Sequence, residues 1–433
     1  MLKASKFNEY KTENDIDVYI NNTDKFKTNY IQIDIIRPLN DEKDVSKNAL
    51  IPYVLYRGTN KYPTNQDISK RLDALYGADL NVSVARRGEN QLLRFSIEVI
   101  NDKFVNTKEN LLKSSVDFLF EMLVNPLLED GDYKKEFIDK GHNFLEEKIL
   151  SLKNDKNSYV IERCYQEMCR GEDFSLYTLG TLKGLEKSLN ENLYQYFKKV
   201  LKESPIEIFV IGDVANHKDV YEYVNKKFSY ERNKNLQINN TTLKVDGFDN
   251  LEIEEEDQVT QSKLCAGIRV PITRNHPLYF ALIVYNGMLG GFSHSKLFST
   301  IREEQGLAYY INTRLESTKG LILINAGIDI KDYQTVKGII REKLAEMSDG
   351  KFDDKNLNWS KKKLINRYKI LSDNNHSIVD AFLLGLINDK KDSLNYVINS
   401  IKQVEKEDII EVAKKVELTT HFLLKPGSAQ DDI

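Results

Sequence analysis

The chain has 433 residues, 41% of them apolar, long enough for two to four domains with real cores. Lysine and arginine number 62 against 66 aspartate and glutamate, for a formal net charge of −4, so nothing points to nucleic acid or an anionic membrane as a partner. No apolar stretch of signal-peptide length opens the chain and nowhere do about 18 apolar residues run together, so a cytoplasmic protein without membrane insertion is expected.

In chain order, the first half opens with a strand over 29–37 and a helix over 45–56. A helix at 66–76 is introduced by the capping pair Thr64 and Asn65. Strands at 79–85 and 91–99 flank a turn, Arg86-Arg87-Gly88-Glu89-Asn90. Helices follow at 110–124, closed by Asn125-Pro126, then at 133–153 and 158–170. A helix at 190–201 and an apolar strand at 206–211 complete the half. Residues 231–256, polar and asparagine-rich and then acidic, lose the pattern and read as an interdomain linker. The second half repeats the order: a strand at 263–270, helices at 276–289 and 293–304, and strands at 308–315 and 320–328. Helices from Tyr333, Asp354, His376, Leu394 and Lys406 and a strand at 419–424 close it. The segments 77–82 and 306–311 superpose as a helix stop followed by an outgoing strand, so the repeat is carried by element order. Antiparallel strand pairs beside separate helix runs indicate an α+β fold. We expect two homologous α/β sandwich domains, 1–230 and 257–433 around the 231–256 linker, facing each other across a cleft.

Local spacing offers no metal site. The histidines are His142, His217, His276, His294, His376 and His421, and no two lie within a helical turn or a strand pair. Cys164, Cys169 and Cys265 form no C-x-x-C motif and read as small core residues. No G-x-S-x-G elbow or Cys/His pair supports a serine or cysteine hydrolase.

The most informative stretch is 286–310, NGMLGGFSHSKLFSTIREEQGLAYY. A helix ends in Gly287, Gly290 and Gly291, a second presents Leu297, Phe298 and Ile301 on one face, and Arg302 precedes a Gly306 stop and a strand. This layout resembles the second domain of the pitrilysin and mitochondrial processing peptidase family of zinc metallopeptidases, whose signature is the inverzincin H-x-x-E-H on a first-domain helix. The resemblance implies a processing-peptidase type, LuxS/metallohydrolase-like sandwich. It also implies that Arg302 and Tyr309, seven residues apart, hold a peptide substrate.

At the matching first-half position the chain reads Ala49-Leu50-Ile51-Pro52-Tyr53-Val54-Leu55-Tyr56-Arg57-Gly58-Thr59. The resemblance puts Ala49 and Tyr53 at the two histidine-ligand positions, Pro52 at the general-base position and Lys140 at the third ligand. None of the three signature residues replaces what is lost: alanine has no donor atom, a phenol is a poor ligand at neutral pH, and proline takes no proton. Pro52 is further expected to kink this helix or to mark its start. The strings Arg57-Gly58-Thr59 and Leu75-Tyr76-Gly77-Ala78, at this separation, resemble a bacterial YmfF-like branch that lacks the zinc signature.

The resemblance then implies the non-catalytic subunit of a heterodimeric zinc metallopeptidase. This chain would carry no cofactor, and zinc would belong to a catalytic H-x-x-E-H paralogue as partner. The alternative is a structural or peptide-binding pseudoenzyme with no part in catalysis.

Overall fold

A computed structural model describes residues 7–238, 241–244 and 250–427. They form two compact units, and neither is continuous in sequence: the first takes residues 7–151, 176–238 and 375–383, the second the described residues of 152–175, 241–374 and 384–427.

The sheet of the first unit runs β1 (Asn8–Lys11), β2 (Asp17–Asn22), β8 (Ile206–Gly212), β3 (Thr28–Pro38), β5 (Asn90–Ile100), β4 (Asp79–Arg87) in spatial order. All pairings are antiparallel except β2 with β8. Period-two alternation gives the sheet two different faces. Ile31, Ile33 and Ile35 of β3 enter the core with α1 (Glu42–Leu55) and α3 (Leu111–Val124), whereas Tyr30, Gln32 and Asp34 point the other way. Residues 375–383 cover that second face: Asp380 pairs with Arg94 at 2.8 Å and Arg87 at 3.2 Å, the His376 ring lies 4.2 Å from Tyr30, and Phe382 packs on Phe7 and Tyr19. Around the sheet lie α2 (Asn65–Ala74), the two-residue strands β6 (Leu128–Glu129) and β7 (Asp132–Tyr133), α4 (Lys135–Asn154), α6 (Leu182–Ser188), α7 (Leu193–Glu203) and α8 (His217–Lys227).

The second unit repeats the scheme. Its sheet order is β11 (Ala308–Glu316), β12 (Leu321–Ile328), β10 (Ser262–Arg269), β13 (Glu417–Pro426), β9 (Leu251–Asp257). Leu264, Ala266, Ile268, Ile322 and Ile324 face the core with α9 (Tyr279–Asn286), α10 (Tyr333–Ser348), α11 (Asp354–Leu371), α13 (Leu394–Gln403) and α14 (Lys406–Ala413). On the opposite face Cys265, Leu321, Leu323, Phe422 and Leu424 receive Val160, Cys164, Tyr165 and Met168 of α5 (Lys156–Met168). Close approach there depends on Gly267, where a Cβ would lie 3.0 Å from Met168. α12 (Asn375–Ile387) supplies the helix at the corresponding place on the first unit's sheet. Among the described residues no helix is long and apolar enough to cross a membrane.

Two expectations change. The acidic end of the supposed 231–256 linker is strand β9, paired in parallel with β13. Its Glu252 and Glu254 face outward onto Lys337 and Lys425 while Leu251 and Ile253 turn inward, so the charges are those of an edge strand. Nor does the helix at Pro52 start there: α1 begins at Glu42, capped by Asp41 accepting from the amides of Lys43 and Asp44, and runs without interruption to Leu55. Every residue from Val45 to Leu55 is buried, and this packing outweighs the roughly 3 kcal/mol that an interior proline costs.

Candidate functional site

The residues singled out by the sequence fall in two places, one in each unit. In the first, Ala49, Pro52 and Tyr53 sit on α1 and all three are buried. Burial pushes the Tyr53 phenol up to about 12, so it stays protonated at neutral pH. The facing helix is α4, and it comes close at Gly141, where a Cβ would stand 2.8 Å from Val54 Cγ2. One turn further along α4, the Phe144 ring meets Tyr53 edge-on at 4.9 Å between centroids, and Lys148 Nζ lies 5.4 Å from the Tyr53 ring and 5.1 Å from the Phe144 ring. Lys140, expected at the third ligand position, is exposed and pairs with Glu136 at 2.6 Å. The α4 residues that approach Tyr53 are therefore Phe144 and Lys148. Their three- and seven-residue spacing from Gly141 is the one sequence signal that places them on its face.

Catalytic zinc needs three converging nitrogen, oxygen or sulfur donors and a fourth open position. A methyl group, a pyrrolidine ring, a protonated phenol, a phenyl ring and an ammonium do not fit it. Among the described residues no group of three or more His, Cys, Asp or Glu side chains is placed to hold a metal ion.

In the second unit, α9 does not end in an ordinary cap. It passes into a π-helical turn, Gly287–Gly291, followed by a second π-helical stretch, Phe298–Glu304. Such wide turns recur where a helix is re-aimed at a functional site. Glycine is needed here for contact: a Cβ at 287 would meet Phe292 at 2.7 Å, and one at 290 would collide with Thr313 of β11. The Thr313 hydroxyl in turn donates to the Asn286 carbonyl at 3.0 Å, fastening the turn to the strand. Leu297 and Ile301 are buried and fix the stretch that carries Arg302. The helix then stops at Gly306, whose φ of +65° lies in the left-handed region.

Arg302 is exposed, with its guanidinium 4.9 Å from the Phe298 ring, and Tyr309 is 64% exposed at the head of edge strand β11. Neither side chain makes a hydrogen bond or ion pair among the described residues. Tyr309 is also where the strand breaks step. Ala308 pairs with Ile328 and Tyr310 with Gly327, so Tyr309 is an extra residue, a β-bulge. Simple alternation of Tyr309 and Tyr310 between faces therefore fails: Ala308 and Ile311, three apart, both enter the core. Tyr310 is structural, its hydroxyl donating to Asn157 at 2.6 Å and its ring packed against Gly327. The free Arg302 fork and the Tyr309 hydroxyl are hydrogen-bond donors of the kind that grip peptide carbonyls.

Comparison with known proteins places these features in context. The family description "Peptidase M16 inactive domain" matches residues 189–364. The chain is 30% identical over 424 residues to the "Probable inactive metalloprotease YmfF" of Bacillus subtilis (strain 168), which covers 97% of this chain and 98% of that protein. A crystal structure of a conserved protein from Enterococcus faecalis V583 superposes with a TM-score of 0.89 at 26% identity, covering 99% of this chain and 100% of that one. A peptidase M16 inactive domain from Pseudomonas fluorescens superposes with a TM-score of 0.77 at 14% identity, over 98% and 100%.

Proposed function

The chain belongs to the M16 peptidase family, among the members without the zinc signature, and from that premise we propose that it is the non-catalytic subunit of a heterodimeric zinc metallopeptidase. In this reading it supplies Arg302 and Tyr309 to an active site whose metal and metal-activated water belong to a catalytic H-x-x-E-H paralogue. Hydrolysis of a peptide bond needs an activated water, a base, and a scissile carbonyl held in place, and these parts can be divided between chains. Arg302 donates to the carbonyls beside the scissile bond, and Tyr309 donates to the oxyanion that develops on it.

One observation carries the proposal. Arg302 on its π-helical stretch and Tyr309 at the head of edge strand β11 are both exposed and make no hydrogen bond or ion pair among the described residues, while the three positions that would hold zinc and base are buried in a hydrophobic core.

The test is kinetic, on the chain co-purified with an H-x-x-E-H relative. Arg302→Ala and Tyr309→Phe are expected to leave assembly and zinc content unchanged and to lower turnover by about 10² to 10³, the usual loss for one oxyanion donor. Tyr310→Phe, which removes the bond to Asn157, is expected to cost about 1 kcal/mol of stability and no turnover. Unaltered turnover in both of the first two variants would make the chain a scaffold instead.

A further inference from the structure

The chain has a single tryptophan, Trp359, and it is 42% exposed on α11. Lys355 Nζ sits 4.6 Å from the centroid of its ring, one turn earlier on the helix. His294 meets the Trp359 ring edge-on at 5.7 Å and stacks on Phe292 at 5.5 Å, and its Nε2 is 3.1 Å from the Ser360 hydroxyl. His294, Trp359, Lys362, Lys363 and Asn366 line an open cavity of about 460 Å³. Lys355, Lys362, Lys363 and Asn366 are all exposed, and among the described residues none makes an ion pair or hydrogen bond. Several other lysines of this unit are engaged: Lys296 pairs with Glu346, Lys337 with Glu252 and Lys425 with Glu254. α11 carries six cationic residues against one acid, Asp354, in a chain whose formal net charge is −4.

We propose that this face of α11 binds an acidic segment of a partner polypeptide. Positions 355, 359, 362, 363 and 366 recur at helical spacing and form one stripe in which three lysines flank a single tryptophan, closed by Asn366. The stripe is about 17 Å long at ~1.5 Å per residue, which matches about five residues of extended chain at ~3.3 Å each. An apolar side chain of the ligand lies on the Trp359 ring, and carboxylates on either side of it reach Lys355 and the Lys362–Lys363 pair. A nucleic acid would meet the same cations, but over its greater length it would also meet the net negative charge of the rest of the molecule. This inference stands on α11 and the adjoining His294 and does not depend on Arg302 or Tyr309.

Because Trp359 is the sole tryptophan, its emission reads this site directly. The full chain is titrated at low salt with a peptide of about eight residues alternating Glu and Leu, long enough to span the stripe. The same peptide with Gln for Glu and a single-stranded oligothymidylate are titrated beside it. The acidic peptide is expected to shift the emission saturably, and the Lys362→Glu/Lys363→Glu double variant to weaken it at least tenfold with an unchanged melting curve. The Lys362→Gln/Lys363→Gln variant is expected to fall between. No saturable shift, equal binding of the Gln peptide, insensitivity to charge reversal, or oligothymidylate binding as tight as the peptide's would each overturn the proposal.

Discussion

Glu207 shows how far one residue can set the response of the whole fold to pH. It lies opposite Asp34 on β3, which in turn lies opposite Arg94 on β5, so a carboxylate, a second carboxylate and a guanidinium form one row across the sheet. Asp34 binds Arg94 at 2.8 Å, but Glu207 is buried with one carboxylate oxygen unbonded. Burial, reinforced by the Asp17 charge, pushes its pKa up to about 8. An unfolded Glu titrates near ~4.3, so between roughly pH 4.5 and 8 the folded state holds the extra proton and stability falls as pH rises. Glu207→Gln is therefore expected to raise the melting temperature by several degrees near pH 9 and by little near pH 5, as thermal melts at the two values will read. At the degenerate motif, the Tyr53 and Phe144 rings pack edge-on at 4.9 Å. Metal analysis of the purified chain is expected to find far less than one zinc per molecule, and about one tightly held zinc would contradict the assignment of Ala49, Pro52 and Tyr53.

Among the elements, α1 has surroundings with little room to give. Gly180 has φ +76°, and a Cβ there would run into the Ser46 side chain on α1. Gly180→Ala should cost roughly 1–3 kcal/mol for the backbone and a similar amount for the collision, and chemical denaturation with an unmoved midpoint would refute the packing. The helix stops at Gly77 and Gly306 were legible in the sequence because they depend on local chain geometry, whereas the contact of Gly180 with Ser46 joins distant segments and was not. β9 was not, because its acids are balanced by Lys337 and Lys425, far away in the chain. The bulge at Tyr309 and the π-helical turns were equally hidden: each is an irregularity of hydrogen bonding that leaves no mark on hydrophobic periodicity. Arg302 and Tyr309 emerged from family resemblance alone. Phe144 and Lys148 escaped notice because which face of α4 meets α1 is decided by Gly141 and Val54, a tertiary contact.

For the whole molecule, the discontinuity of both units matters most. A fragment ending at residue 238 keeps α5 but none of β10, β12 and β13, so Val160, Cys164, Tyr165 and Met168 lose their apolar partners. It also lacks Asp380 and Phe382 over the face of its own sheet. Such a fragment is expected to bind a hydrophobic dye and to self-associate in size-exclusion chromatography, and a monodisperse, dye-negative fragment would show that α5 needs no sheet. The same arrangement imposes a timetable on synthesis. α5 is complete by Met168, yet the last strand it packs against ends at Pro426. At about 5–20 residues per second a ribosome takes roughly 10–50 s to cover that distance. The apolar face of α5 must wait that long before its sheet is complete, and the first unit waits for residues 375–383, so neither finishes when its first elements emerge.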